Sequence, residues 1–74
     1  MADFRLRGSV TQLGASRFSI VVSAIRIDDA GVSECVHRLA TSADAAEEVC
    51  RALIIEVGAA LRAGGGRIVD VEVD

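Results

Sequence analysis

Residues 41–74 read TSADAAEEVCRALIIEVGAALRAGGGRIVDVEVD, and this stretch decides the fold. Apolar residues recur at helical spacing until Gly64-Gly65-Gly66, and Thr41 with Asp44 three residues later resembles a capping box. We therefore expect a helix of about twenty residues that begins near Thr41 or Ser42. The predicted sheet-facing stripe of this helix is Ala46, Val49, Cys50, Leu53, Val57, Ala60 and Leu61.

The residues after the glycines predict a closing strand. Residues 67–74 alternate with a period of two, which is typical of a half-buried strand. We expect Val69, Val71 and Val73 to face inward. The predicted outward set is Ile68, Asp70, Glu72 and Asp74.

Three further strands are predicted before the helix. Residues 3–12 alternate, residues 17–27 are rich in Ile and Val, and a third strand runs roughly from Val32 to Ala40. The connection between strands two and three contains Gly31, which can take the left-handed conformation that closes a hairpin loop. A three-residue loop at residues 14–16 sets apolar partners opposite each other, Val10 with Ile20 and Leu6 with Ala24.

The strand order follows from the crossover and from charge. A helix that returns the chain to the starting edge makes the last strand parallel to strands one and three. It can pair with either, but Arg5 and Arg7 opposite Asp70 and Glu72 favour strand one. We predict a single α+β domain over residues 1–74, a two-layer β-β-β-α-β arrangement with sheet order 4-1-2-3.

Composition excludes several classes of protein. The chain is 51% hydrophobic and 26% charged, which is typical of a globular domain. Eight arginines against eleven acidic residues give a net charge of −3, which does not favour nucleic acid or an anionic membrane. All eight basic residues are Arg, which indicates GC-rich coding in a bacterium or phage. With two Phe and no Trp or Tyr, the core has few large side chains, and this favours self-association.

The two cysteines, Cys35 and Cys50, lie in apolar segments. Two cysteines do not make a disulfide framework, and we expect no signal peptide before the first strand. We expect buried, reduced thiols in a cytoplasmic protein.

The sequence contains no recognisable catalytic, metal-binding or nucleotide-binding signature. Cys35, His37 and Cys50 are the soft metal ligands, and they lack the second close pair of a structural zinc site. Glycines 64–66 follow a helix C-terminus, whereas phosphate loops precede a helix N-terminus. We therefore expect no enzyme activity and no cofactor.

The back of the helix is the first candidate interface. Ala45, Ala52 and Ala59 recur every seven residues, with Ile55 among them. This smooth stripe suits close helix–helix contact, although alanine is also a good former of exposed helix.

The sheet face away from the helix is the second candidate, and it has two interpretations. Without a bulge in strand two, this outer face gathers apolar residues, namely Val21, Ile25, Ile27, Cys35 and Leu39. With a β-bulge near Ser23-Ala24, Ile25 and Ile27 rejoin the core. The outer face then collects five arginines, Arg5, Arg7, Arg17, Arg26 and Arg38.

These two interpretations give two hypotheses about function. The favoured one is a protein–protein interaction module, a homodimer or small oligomer that could also serve as an adaptor or inhibitor for a larger partner. The alternative is a sheet that binds nucleic acid or an acidic partner through the arginines. Readers of single strands usually stack bases on aromatic residues, and neither Phe4 nor Phe18 is expected to face outward.

Overall fold

The computed structural model describes residues 2–74 and contains four strands and one helix in that range. The elements are β1 (Asp3–Gly14), β2 (Arg17–Arg26), β3 (Val32–Ala40), α1 (Ala43–Ala63) and β4 (Arg67–Val73). The sheet order is β3-β2-β1-β4, with β4 parallel to β1 and the other neighbours antiparallel. The predicted two-layer α+β fold and its strand order are confirmed.

In the hairpin between β1 and β2, the predicted residues share each face of the sheet, but the turn is one residue shorter than predicted. Val10 lies opposite Ile20, as expected, and apolar partners continue along both strands. The turn itself occupies residues 15–16, and the register shifts between Gln12 and Gly14. Leu13 is thus a bulged residue of β1, and the three-residue loop was wrong in detail. One extra residue in the strand has the same effect on parity as one extra residue in the loop.

The second hairpin places its bulge in β3. The register of β2 against β1 is continuous through Ser23 and Ala24, so β2 has no bulge there. Against β3 the register shifts between Ala24 and Ile25, and Ser33 is the extra residue. The interpretation in which β2 itself bulges and returns Ile25 to the core is therefore wrong.

The loop of this hairpin also differs from the prediction. The left-handed residue is Ala30, with φ of 57°, rather than Gly31. The Arg26 amide donates to the Gly31 carbonyl at 2.9 Å, and the Arg26 guanidinium bonds Asp29 Oδ1 at 3.0 Å. This hydrogen bond is the main reason that the pKa of Asp29 is lowered. A side chain at Gly31 would collide with the Arg26 guanidinium.

The closing strand contains a third bulge. Ile68 lies opposite Phe4 and packs against the core, so its predicted outward position is wrong. The register then shifts, so that Arg5 lies opposite Asp70 and Val69 is the extra residue. The predicted Arg5–Asp70 pair follows, with Arg5 Nε 3.4 Å from Asp70 Oδ2. Arg7 lies opposite Glu72 as predicted, but its ion pair is with Asp74.

The helix begins one residue later than the proposed capping box. Ser42 is the N-cap, and its hydroxyl accepts a hydrogen bond from the Ala45 amide at 3.1 Å. Thr41 is not the cap, so the Thr41–Asp44 box was wrong. At the other end Gly65 takes φ of +89°, which favours glycine and directs the chain into β4.

The core lies between α1 and one face of the sheet. Its buried residues are Phe4, Leu6, Phe18, Ile20, Val22, Ala24, Ala46, Cys50, Leu53 and Val57. Ala60 was predicted to face the sheet and is exposed, whereas Ile54 is half-buried. Ile54 packs closely against Gly8 of β1, where a Cβ would lie 2.7 Å from Cys50 Sγ and 3.1 Å from Ile54 Cδ1. Within the described part of the chain, no helix combines the length and apolar character that crossing a membrane requires.

Replacing Leu53 with Ala should lower the free energy of unfolding by about 2–5 kcal/mol, because it removes buried methyl groups and leaves a cavity. Leu53 is 5% exposed at the centre of the helix–sheet contact. The matched control is Ile55→Ala on the opposite side of α1, which should change stability by less than about 0.5 kcal/mol. Urea denaturation followed by circular dichroism measures both, and equal effects would contradict the observed helix phase.

Candidate interaction surfaces

The continuous register of β2 places an apolar cluster on the outer face of the sheet. Val21 and Ile25 share one side of β2, opposite the side that α1 covers, and both are half-buried. Leu39 of β3 is on the same face and is 58% exposed. Ile27 follows β2 in the turn and is exposed. We call Val21, Ile25, Ile27, Cys35 and Leu39 the outer apolar cluster; the structure brings the four strand residues to one face, and Ile27 lies in the adjoining turn.

Charged residues occupy the other half of the outer face. Arg5 pairs with Asp70, and Arg7 Nη2 lies 2.9 Å from Asp74 Oδ2. This contact is the main reason that the pKa of Arg7 is raised. Exposed ion pairs of this kind contribute little to stability. The outer face is therefore divided into an ion-paired half over β1 and β4 and a more apolar half over β2 and β3.

The predicted five-arginine face does not form. Arg26 lies opposite Phe4, and Arg38 lies opposite Ile20, so both are on the helix-side parity of the sheet. Arg5, Arg7 and Arg17 lie on the outer face. Arg5 and Arg7, however, form ion pairs with Asp70 and Asp74. The reason is the absence of the bulge in β2 that this interpretation needed.

The helix stripe is exposed as its spacing predicted. Ile55 is 71% exposed, and Ala52 and Ala59 are exposed as well, while Ala45 is half-buried. These residues lie away from the sheet, because the buried side of α1 is occupied by Ala46, Cys50, Leu53 and Val57.

The outer face contains a hydrogen bond between Ser19 and His37 that the sequence analysis did not predict. Ser19 Oγ lies 2.9 Å from His37 Nε2, because the two residues share the outer face and lie diagonally across β2 and β3, with His37 directly opposite Val21. Within residues 2–74, no carboxylate contacts this histidine. A serine–histidine pair without an orienting third group, on an exposed flat sheet, does not constitute a hydrolase site.

The two cysteines lie on opposite sides of the sheet. Cys35 is exposed on the outer face, where its Sγ accepts a hydrogen bond from Ser23 Oγ at 3.6 Å, so its predicted burial was wrong. Cys50 of α1 is buried between the helix and the sheet, and desolvation raises the pKa of its thiol. Cys35, His37 and Cys50 therefore do not converge, and residues 2–74 contain no cluster of three or more metal-ligating side chains.

A groove of about 700 Å³ lies on the helix side, between α1 and the ends of β1 and β4. Val10, Ile54 and Val73 form part of its apolar wall, and Asp44, Glu47, Arg51 and Asp74 are among its polar residues. Val73 points inward as predicted but remains 62% exposed, because α1 does not extend over β4 at that end. The groove contains no reactive arrangement.

Within residues 2–74, no further strand pairs with β3 or β4 at the two edges of the sheet. The β4 edge carries Asp70, Glu72 and Asp74, whereas the β3 edge carries Glu34 and Arg38 on either side of Val36. The sequence analysis did not predict the mixed charge of the β3 edge, although the sequence ECVHR over residues 34–38 indicates it, with Glu34 and Arg38 two residues on either side of Val36.

Comparison of the chain with models of protein families, with curated proteins and with solved structures finds no match.

The two thiols should differ strongly in reactivity. Thiolate is the reactive form, and burial both raises the pKa of Cys50 and blocks access to it. At neutral pH, a disulfide reagent such as dithionitrobenzoate should modify Cys35 rapidly and Cys50 only when the chain opens. Two kinetic phases of equal amplitude are expected, and Cys35→Ser should remove the fast one. Loss of the slow phase in that variant would contradict the placement of Cys50.

Proposed function

We propose that this protein is a small, non-enzymatic protein–protein interaction module that self-associates as a homodimer or small oligomer. The observation that carries the proposal is the continuous β2 register, which leaves the outer apolar cluster uncovered by α1. Large apolar side chains left in water forgo about 1.5–3 kcal/mol of burial each. A chain of 74 residues with a small core gains substantially when a partner covers them.

The proposal includes a cytoplasmic location in a bacterium or phage-infected cell. Its support is the pair of free cysteines, one of which is exposed, together with the exclusive use of Arg as the basic residue. A larger protein partner, as for an adaptor or inhibitor, fits the same surface. Binding of nucleic acid or an acidic partner through arginine loses its geometric basis, because Arg26 and Arg38 lie on the other parity.

The test is the solution mass of the protein measured by light scattering from low to high micromolar concentration. The wild type should form a dimer or small oligomer. Leu39→Glu should dissociate it with the fold intact, because an unpaired carboxylate in an apolar interface is costly and Leu39 has little role in the core.

Ile55→Glu is the matched control, an exposed apolar residue on the helix stripe. It should leave the oligomer unchanged, and both variants should melt close to the wild type. Dissociation by Ile55→Glu alone would move the interface to the helix. A monomeric wild type at every concentration would end the self-association proposal.

A further inference from the structure

The two sheet edges differ in whether they can pair with a second copy of themselves. Asp70 and Glu72 of β4 and Asp74 directly after it are all acidic, so an antiparallel copy of that strand brings carboxylate toward carboxylate. Like charges directly opposite each other destabilise strand pairing. The β3 edge instead carries one acid, Glu34, and one base, Arg38, each two residues from Val36. Among residues 2–74, neither of them has an ion-pair partner within its own chain.

The backbone of β3 determines which registers a second copy can adopt. The Arg26 amide donates to Gly31 across the hairpin, so even-numbered residues of β2 direct their backbone groups toward β3. Val36, opposite Val22, therefore bonds to β2. By alternation Cys35 and His37 direct their N–H and C=O groups to the outer edge of the sheet, where the His37 carbonyl of the isolated chain accepts a hydrogen bond from Arg38 Nη1 at 2.8 Å. A copy in antiparallel orientation must align odd residues with odd residues to use these groups.

One of these registers also places residues of opposite charge directly opposite each other across the two strands. With Val36 on a two-fold axis, Cys35 of each copy exchanges backbone hydrogen bonds with His37 of the other copy. Glu34 then lies directly opposite Arg38, and symmetry repeats this pair. A shift by two residues in either direction sets the charged side chains opposite apolar ones instead. The register also brings Leu39 of one copy to the Val32–Ser33 end of the other, where Val32 is 62% exposed.

We propose that two copies of this chain pair through β3, antiparallel, about a two-fold axis at Val36. The result is one continuous sheet of eight strands, four from each copy, with both helices on the same face. This inference rests on the proposed self-association and gives it a specific geometry. Cross-strand ion pairs and main-chain hydrogen bonds determine the register. Of the outer apolar cluster, this pairing covers Leu39 at each end of the seam, whereas Val21 and Ile25 stay on the uncovered face of the eight-stranded sheet.

Reversal of single charges tests the register. Glu34→Arg sets Arg opposite Arg, and Arg38→Glu sets Glu opposite Glu, twice in each dimer. Each variant should weaken dimerisation about tenfold or more, judged from the magnitude of cross-strand charge pairs. The double variant Glu34→Arg/Arg38→Glu should recover wild-type affinity. Arg51→Glu, an exposed reversal on α1 away from the seam, is the control and should have no comparable effect.

Mixing supplies the decisive experiment. Glu34→Arg has two bases on its edge and Arg38→Glu has two acids, so an equimolar mixture should form a heterodimer although each variant alone is weak. Native mass spectrometry detects it directly. Circular dichroism melts of each variant show whether it is folded, and a variant that fails to fold is replaced by the cross-linking test.

Cross-linking tests the same axis without changing charge. Paired Val36 residues would have Cα atoms about 4.5 Å apart, within the range of a disulfide. Val36→Cys in a Cys35→Ser background should therefore form a covalent dimer under mild oxidation. Arg38→Cys in that background is the control, since its two copies lie about 13 Å apart along the seam.

The outcomes separate this inference from the proposed function. A wild type that stays monomeric overturns both. A wild-type dimer that resists both charge reversals, gives no heterodimer preference and shows no Val36→Cys cross-link overturns the β3 register and leaves self-association through another surface.

Discussion

The uninterrupted pairing of β2 with β1 is the constraint on which the rest of the structure depends. From Phe18 to Arg26 every residue of β2 has a partner on β1, so the two faces of the sheet cannot exchange residues along that length. Ile20, Val22 and Ala24 are fully buried beneath α1 as a result. The same pairing commits Val21 and Ile25 to the opposite face. One helix covers one face, and residues 2–74 contain no further element that covers the other.

Period and parity made most of this fold predictable. Alternation is a local property, so the three antiparallel strands, the helix and the closing strand could be located from apolar spacing, and the Arg5–Asp70 contact indicated the strand order. The three bulges, at Leu13, Ser33 and Val69, could not, because an extra residue is tolerated wherever packing on both sides permits it. Their consequence is unequal. The Leu13 bulge preserves parity, whereas the Val69 bulge brings Ile68 inward.

The candidate surface was predictable to the same degree and for the same reason. The exposed positions of Leu39 and Ile55 follow from periodicity alone. The arginine face depended on a bulge in β2, and the energetic argument for it was that Ile25 would otherwise remain partly wet. The protein instead leaves Ile25 half-buried on the outer face and bulges the edge strand, where only one neighbour is disturbed. The prediction that Cys35 is buried was wrong for a related reason, because β3 is an edge strand and has no second neighbouring strand to cover Cys35.

The different charges of the two edges also bear on closure of the assembly. A sheet with two equally receptive edges can add copies without limit, which is the hazard that edge strands present. Here the β4 edge carries carboxylates that Arg5 and Arg7 only partly neutralise, and it repels a second β4. In the proposed dimer, pairing through β3 uses a two-fold axis, so it occupies both receptive edges at once and leaves acidic β4 strands outermost. The charge pattern that favours the proposed β3 contact therefore also disfavours the addition of a third copy through β4.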